Sequence, residues 1–119
     1  MDSGKKIYEI DIRGGLPDVK AALRILEYEF ASACAIGERV IKVIHGCGSK
    51  MRGCGRLRTA TRAWGREDKR VHVMIKGENF SAVHPQTRYL VENFPYVAND
   101  KDLEAENSEI TVFFVKSKK

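Results

Sequence analysis

From Ile7 to Ile12 apolar and polar side chains alternate, with Tyr8, Ile10 and Ile12 on one side of the chain and Glu9 and Asp11 on the other. A period of two is that of a half-buried strand. Gly14-Gly15 interrupts it, after which Val19, Ala22, Leu23, Leu26, Phe30 and Ala33 recur at helical spacing, with Pro17 and Asp18 suited to the first turn and Gly37 to the stop. Val40 to Ile44 reads as a short β-branched strand. Strand, helix and strand make a βαβ unit whose two strands should be parallel neighbours.

A second helix is expected to start near Gly53 to Arg56, with Leu57, Ala60 and Trp64 as a narrow apolar stripe and the arginines facing away. Val71, Val73 and Ile75 alternate as a third strand, and Gly77 to Phe80 makes a turn. Val83, Thr87, Leu90, Val91 and Phe94 predict a shorter third helix closed by Pro95. Ala98 to Glu109 is polar and acidic, Ile110 to Val115 is strongly β-forming, and Lys116 to Lys119 reads as a solvated tail. The order predicts an α/β fold: a two-layer sandwich, βαβα then strand, helix and strand, on a mixed four-stranded sheet whose last strand is open to an antiparallel placement.

At 119 residues the chain fits one domain, 1–119, with no repeat or linker. No apolar run approaches the ~18 residues of a membrane span, and no signal-peptide core follows the N-terminus, so a cytoplasmic protein without a membrane partner is expected. Cys34, Cys47 and Cys54 form an odd set with no small-scaffold framework, and no structural disulfide is expected. Their spacing, with His45 and His72, matches no closed zinc arrangement.

The net charge of +5 becomes informative once it is located. Lys50, Arg52, Arg56, Arg58, Arg62, Arg66, Lys69 and Arg70 stand against only Glu67 and Asp68, while the other 98 residues hold 13 bases and 14 acids. One local patch carries the excess. A solvated helix face would ordinarily carry both signs, and a small substrate would not need charge over several turns, so a nucleic acid is the expected partner.

Asp11-Ile12-Arg13-Gly14 ends the first strand and His45-Gly46-Cys47-Gly48 ends the second, which puts both clusters at the carboxyl edge of the sheet, where open α/β sheets bind ligands. Gly46 and Gly48 should leave main-chain N–H groups accessible to a phosphate ahead of the second helix, with Ser49, Lys50, Arg52, Arg56, Arg58 and Arg62 beside it.

Ile10-Asp11-Ile12-Arg13-Gly14 resembles the LDLRG element of the small MutS-related (Smr) domain family, and Ile44-His45-Gly46-Cys47-Gly48-Ser49 resembles its IHGxG[ST] element. Leu57-Arg58 is similar to the leucine-arginine that opens the family's next helix. The resemblance covers about residues 7–76 and 109–115, leaving 77–108 as an inserted helical stretch. It implies a fold like the C-terminal domain of bacterial translation initiation factor three, and binding or endonucleolytic cleavage of DNA or RNA. Some members carry histidine where this chain has Arg13, and the family's glycine-rich approach to the last strand is replaced by Glu104-Ala105-Glu106-Asn107-Ser108.

Two functions stay open on these residues: an endonuclease, that is a phosphodiester hydrolase of low sequence specificity, and a non-catalytic nucleic-acid or ribosome-associated module. A metal-independent route suits the first. His45 would transfer the proton, Asp11 would orient it, and Arg13 with loop N–H groups would stabilise the added phosphate charge. No cofactor is expected; magnesium stays open, though one well-placed carboxylate gives a two-metal site little support. The plainer alternatives are that Asp11 only bonds a neighbouring loop and that His45 is a buried imidazole holding its turn. DNA against RNA, strandedness, and monomer against weak dimer are not decided by the residues.

Overall fold

The computed structural model describes residues 5–47 and 52–117. Four strands, β1 (Tyr8–Asp11), β2 (Val40–Ile44), β3 (Val71–Lys76) and β4 (Ile110–Val115), form one sheet in the order β1-β2-β4-β3. β1 and β2 are parallel neighbours, joined by α1 (Val19–Ala35). β4 enters between β2 and β3, antiparallel to both, so β1, β2 and β3 all point the same way and end on one edge.

Asp18 caps α1, accepting from the N–H groups of Lys20 and Ala21 at 3.0 and 3.2 Å. Pro17 therefore stands before the cap and not in the first turn. Past the other end Gly37 takes φ +89°, the left-handed conformation that terminates helices at glycine. α2 runs Cys54–Glu67 and α3 runs Pro85–Asn93. Val83, expected inside the third helix, lies before it and is exposed, because Pro85 occupies the first turn and sets the start.

α1 and α2 cover one face of the sheet. Ile10, Ile12, Leu26, Phe30, Ile41, Val43, Leu57 and Phe113 pack there, with Trp64 edge-on to both Phe30 and Phe113. The expected sandwich of sheet and helices thus exists, and it gains a further cover. Residues 77–109, including α3, close the other face over Ile75, Phe80, Leu90, Val97, Ile110, Val112 and Phe114. β4 is buried along its whole length because both faces are covered, which is why its sequence is continuously apolar apart from Thr111.

One ion cluster fastens that cover. Lys42, on β2 and fully buried, donates to Asp100 at 2.8 and 3.0 Å, to Asp102 at 2.6 Å and to Glu9 at 3.3 Å. Asn107 donates to the other oxygen of Asp102 at 3.0 Å. Burial favours the neutral amine, but the carboxylates outweigh it and raise the Lys42 pKa above its ordinary value. No helix among the described residues is long and apolar enough to cross a membrane.

Candidate nucleic-acid interface

The shared edge of β1, β2 and β3 brings the expected clusters together. Asp11 ends β1 and, with its side chain 47% exposed, accepts from Arg13 three times: from Nε at 3.0 Å, from the terminal nitrogen at 2.7 Å and from the backbone N–H at 3.0 Å. The Arg13 guanidinium holds the Asp11 carboxyl below its usual pKa. Arg13 in turn lies over the loop after β2. A side chain begun at Gly46, where φ is +77°, would sit 3.2 Å from the Arg13 Cδ, so glycine is what lets the two motifs touch.

His45 is placed differently from the expected proton-transfer geometry. It is 0% exposed, with Nδ1 3.0 Å from the Gly46 carbonyl and Nε2 2.9 Å from the Thr111 hydroxyl. Among the described residues Asp11 bonds only Arg13, so the expected Asp11–His45 pair is not formed. The reason is reach: Asp11 is engaged by the residue two ahead of it, while the imidazole points inward to β4. Burial, with the charges of Arg62 and Arg58, outweighs the Gly46 bond and pushes the His45 pKa down to about 4.

Gly46 also departs from expectation. Its N–H is not offered to a ligand but donates to the Glu109 carbonyl at 3.0 Å, beside the His45 N–H at 3.1 Å. The end of β2 is thus stitched to the start of β4. Gly48, Ser49 and Lys50, expected to complete the phosphate loop, lie outside the described residues.

The basic patch divides in two. Arg62, expected on the solvent face of α2, is 6% exposed: its Nε donates to Thr111 at 2.9 Å, and its two terminal nitrogens reach Glu78 at 2.8 and 3.0 Å and the Ile110 carbonyl at 3.1 Å. Arg70 is likewise occupied, by Asp68 at 2.6 Å and Glu27 at 2.9 Å. By contrast Arg52, Arg56, Arg66 and Lys69 are exposed and Arg58 half-buried, and none forms an ion pair with a described residue. Arg56, Thr59, Ala63 and Arg66 line one outward face of α2.

The inward face of α2 is wider than the Leu57, Ala60, Trp64 stripe, for Thr61, Arg62 and Gly65 are buried as well. Gly65 has to be small: a side chain there would come within 3.0 Å of the Phe113 ring and 3.1 Å of the Met74 sulfur. Thr111 and Glu78 were not singled out from sequence. A lone threonine in an otherwise apolar strand was the available signal, since a buried hydroxyl needs a partner.

A family model described as the Smr domain matches residues 10–88, which takes in the end of β1, all of α1, β2, α2 and β3, and the start of α3. The crystal structure of the Smr domain of Thermus thermophilus MutS2 superposes with a TM-score of 0.58 at 24% identity, covering 92% of this chain and 99% of that one. Among curated proteins none matches the chain. The chain belongs to the Smr domain family, on a family match over more than half its length and on the motifs at Asp11–Gly14 and His45–Gly46 that this edge of the sheet brings into contact.

Proposed function

We propose that this Smr domain binds the phosphodiester backbone of DNA or RNA along α2, with the Asp11–Arg13 pair at the sheet edge beside it, in keeping with a family linked to nucleic-acid binding and endonuclease activity. The observation that carries the reading is the set of cations Arg52, Arg56, Arg58, Arg66 and Lys69, which form no ion pair with a described residue, on a molecule that otherwise pairs its buried charges closely. From Arg56 to Arg66 the helix axis advances about 15 Å, a span of roughly four nucleotides of a strand at about 3.4 Å each. A polymer fits that span and a small phosphate does not.

Titration of labelled single- and double-stranded DNA and RNA by fluorescence anisotropy tests it. With about four phosphate contacts, log K should fall against log[salt] with a slope of roughly −3 to −4, and with little dependence on sequence. Affinity insensitive to salt contradicts the reading.

A second reading, cleavage of the bound backbone, is favoured by the exposed carboxylate of Asp11 at the carboxyl edge of the sheet. In it Asp11 and Arg13 face the scissile phosphate, and His45 acts by holding the turn on which Arg13 rests, not by transferring a proton. Asp11→Asn should then lose cleavage, assayed with and without magnesium, while retaining affinity. An Asp11→Asn protein that cuts at the parent rate contradicts this second reading and leaves the first standing.

A further inference from the structure

Two sulfur atoms lie beside the Gly46 turn. Cys47 closes the turn after β2, and Cys54 is the first residue of α2. The Cys54 side chain lies against that of Cys47. Each cysteine packs beside the other's neighbouring glycine: the Cys47 sulfur lies 3.6 Å from where a side chain on Gly55 would begin, and the Cys54 Cβ lies 4.0 Å from where one on Gly46 would begin. All three cysteines are thiols.

The two members of the pair are unequal. Cys54 is 4% exposed, whereas Cys47 is half-buried. Cys47 also holds φ +127°, a conformation rare for a residue with a side chain. The hydrogen bonds from the His45 and Gly46 N–H groups to Glu109, just before it, hold the backbone leading into that position. An accessible thiol in contact with a buried one is the arrangement of an attacking and a resolving cysteine.

We propose that Cys47 and Cys54 are a redox-active dithiol that reacts with a low-molecular-weight disulfide, such as oxidised glutathione, and closes to an internal disulfide. The Cys47 thiolate attacks one glutathione sulfur, the glutathione S–S bond breaks, and one glutathione thiolate leaves. Cys54 gives its proton to solvent and attacks the Cys47 sulfur, releasing the second glutathione. Two protein thiols are oxidised and one glutathione disulfide is reduced to two thiols. The inference is independent of nucleic-acid binding.

The test uses the full chain carrying Cys34→Ser, so that only the pair reports. After incubation of the folded protein with oxidised glutathione, acid quench and alkylation, intact mass should show loss of both alkylatable thiols with no glutathione retained. Trypsin, which cuts at Lys50 and Arg52 between the two cysteines, should yield their peptides joined. Adding Cys54→Ser should stop the reaction at one glutathione on Cys47, and Cys47→Ser should leave Cys54 unreacted until urea is added. A pair that stays fully alkylatable in excess oxidised glutathione, or that keeps glutathione on Cys47 in the presence of Cys54, overturns the proposal. The joined peptides from the Cys34→Ser parent decide the matter should a further variant fail to fold.

Discussion

The Arg62 Nε and the His45 Nε2 both lie 2.9 Å from one atom, the Thr111 hydroxyl oxygen. The Gly46 carbonyl can only accept, so the neutral imidazole carries its hydrogen on Nδ1, and the Thr111 hydroxyl, while accepting from Arg62, gives its own hydrogen to Nε2. Nε2 is then the unprotonated nitrogen, and Nδ1–H donates to the Gly46 carbonyl. One polar chain runs from Glu78 through Arg62, Thr111 and His45 to the glycine turn, with a neutral imidazole inside it.

Thr111→Val keeps the shape and deletes the hydroxyl, leaving both the Arg62 Nε and the His45 Nε2 without their partner in the core. The expected loss is about 2–3 kcal/mol, measured by urea unfolding, with Thr111→Ser recovering most of it. An unchanged midpoint for Thr111→Val would show that the chain of bonds adds nothing to the fold.

Arg62→Met should destabilise by about 2–4 kcal/mol, since it strands Glu78 and Thr111. The figure sits below that of a fully enclosed pair because the Glu78 side chain is 39% exposed. Any loss of nucleic-acid affinity in this variant should follow its loss of folded protein. A fully stable Arg62→Met chain with selectively weakened binding would return Arg62 to the interface.

Acid should unfold the domain in a window set by His45. Its folded pKa is about 4 against 6.5 when solvated, so between these values the unfolded chain binds the extra proton. Stability is therefore fully present above about pH 6.5 and falls as pH drops toward 4, by about 3 kcal/mol in all. Asp11 and Asp102, whose folded pKa values are also lowered, add to the loss below that range. The His45 ring signals in an NMR titration should remain those of the neutral form at pH 5.5, and a midpoint near 6.5 would contradict the buried, doubly bonded placement.

Lys42→Met should loosen the cover and spare the α1–α2 face. Without the ammonium, Asp100 and Asp102 face each other against the sheet, at a cost of about 3–5 kcal/mol. Hydrogen exchange in residues 98–109 should rise well above that in α1. Equal protection in both regions would show that the cluster does not fasten this segment.

All four strands and α1 were legible because their periodicity is strong and their ends are marked: Val40 to Ile44 and Ile110 to Val115 emerge with the bounds expected of them. The convergence of Asp11–Arg13 with His45–Gly46 followed from the same reading, since parallel strands end on one edge. What sequence did not reveal is where long polar side chains turn. Arg62 is spaced like its neighbours, and the Thr111 oxygen, the Ile110 carbonyl and the Glu78 carboxylate, 49, 48 and 16 residues away, draw it inward. The sequence offers Asp11 and His45 as an acid-base pair, yet a residue two ahead claims the one and β4 claims the other. Lys42 carried a signal that was passed over: a lone cation in an apolar strand has to find carboxylates somewhere.

Arg56→Glu together with Arg66→Glu tests whether the outward cations of α2 hold the nucleic-acid backbone. Both side chains are exposed and form no ion pair with a described residue, so the fold should survive, which far-ultraviolet circular dichroism can verify. Salt-dependent anisotropy on a labelled single-stranded oligonucleotide should show affinity lower by roughly tenfold or more at ~0.1 M salt, and a log–log slope shallower by about 2. A folded double variant with the parent dissociation constant and the parent slope would contradict the account.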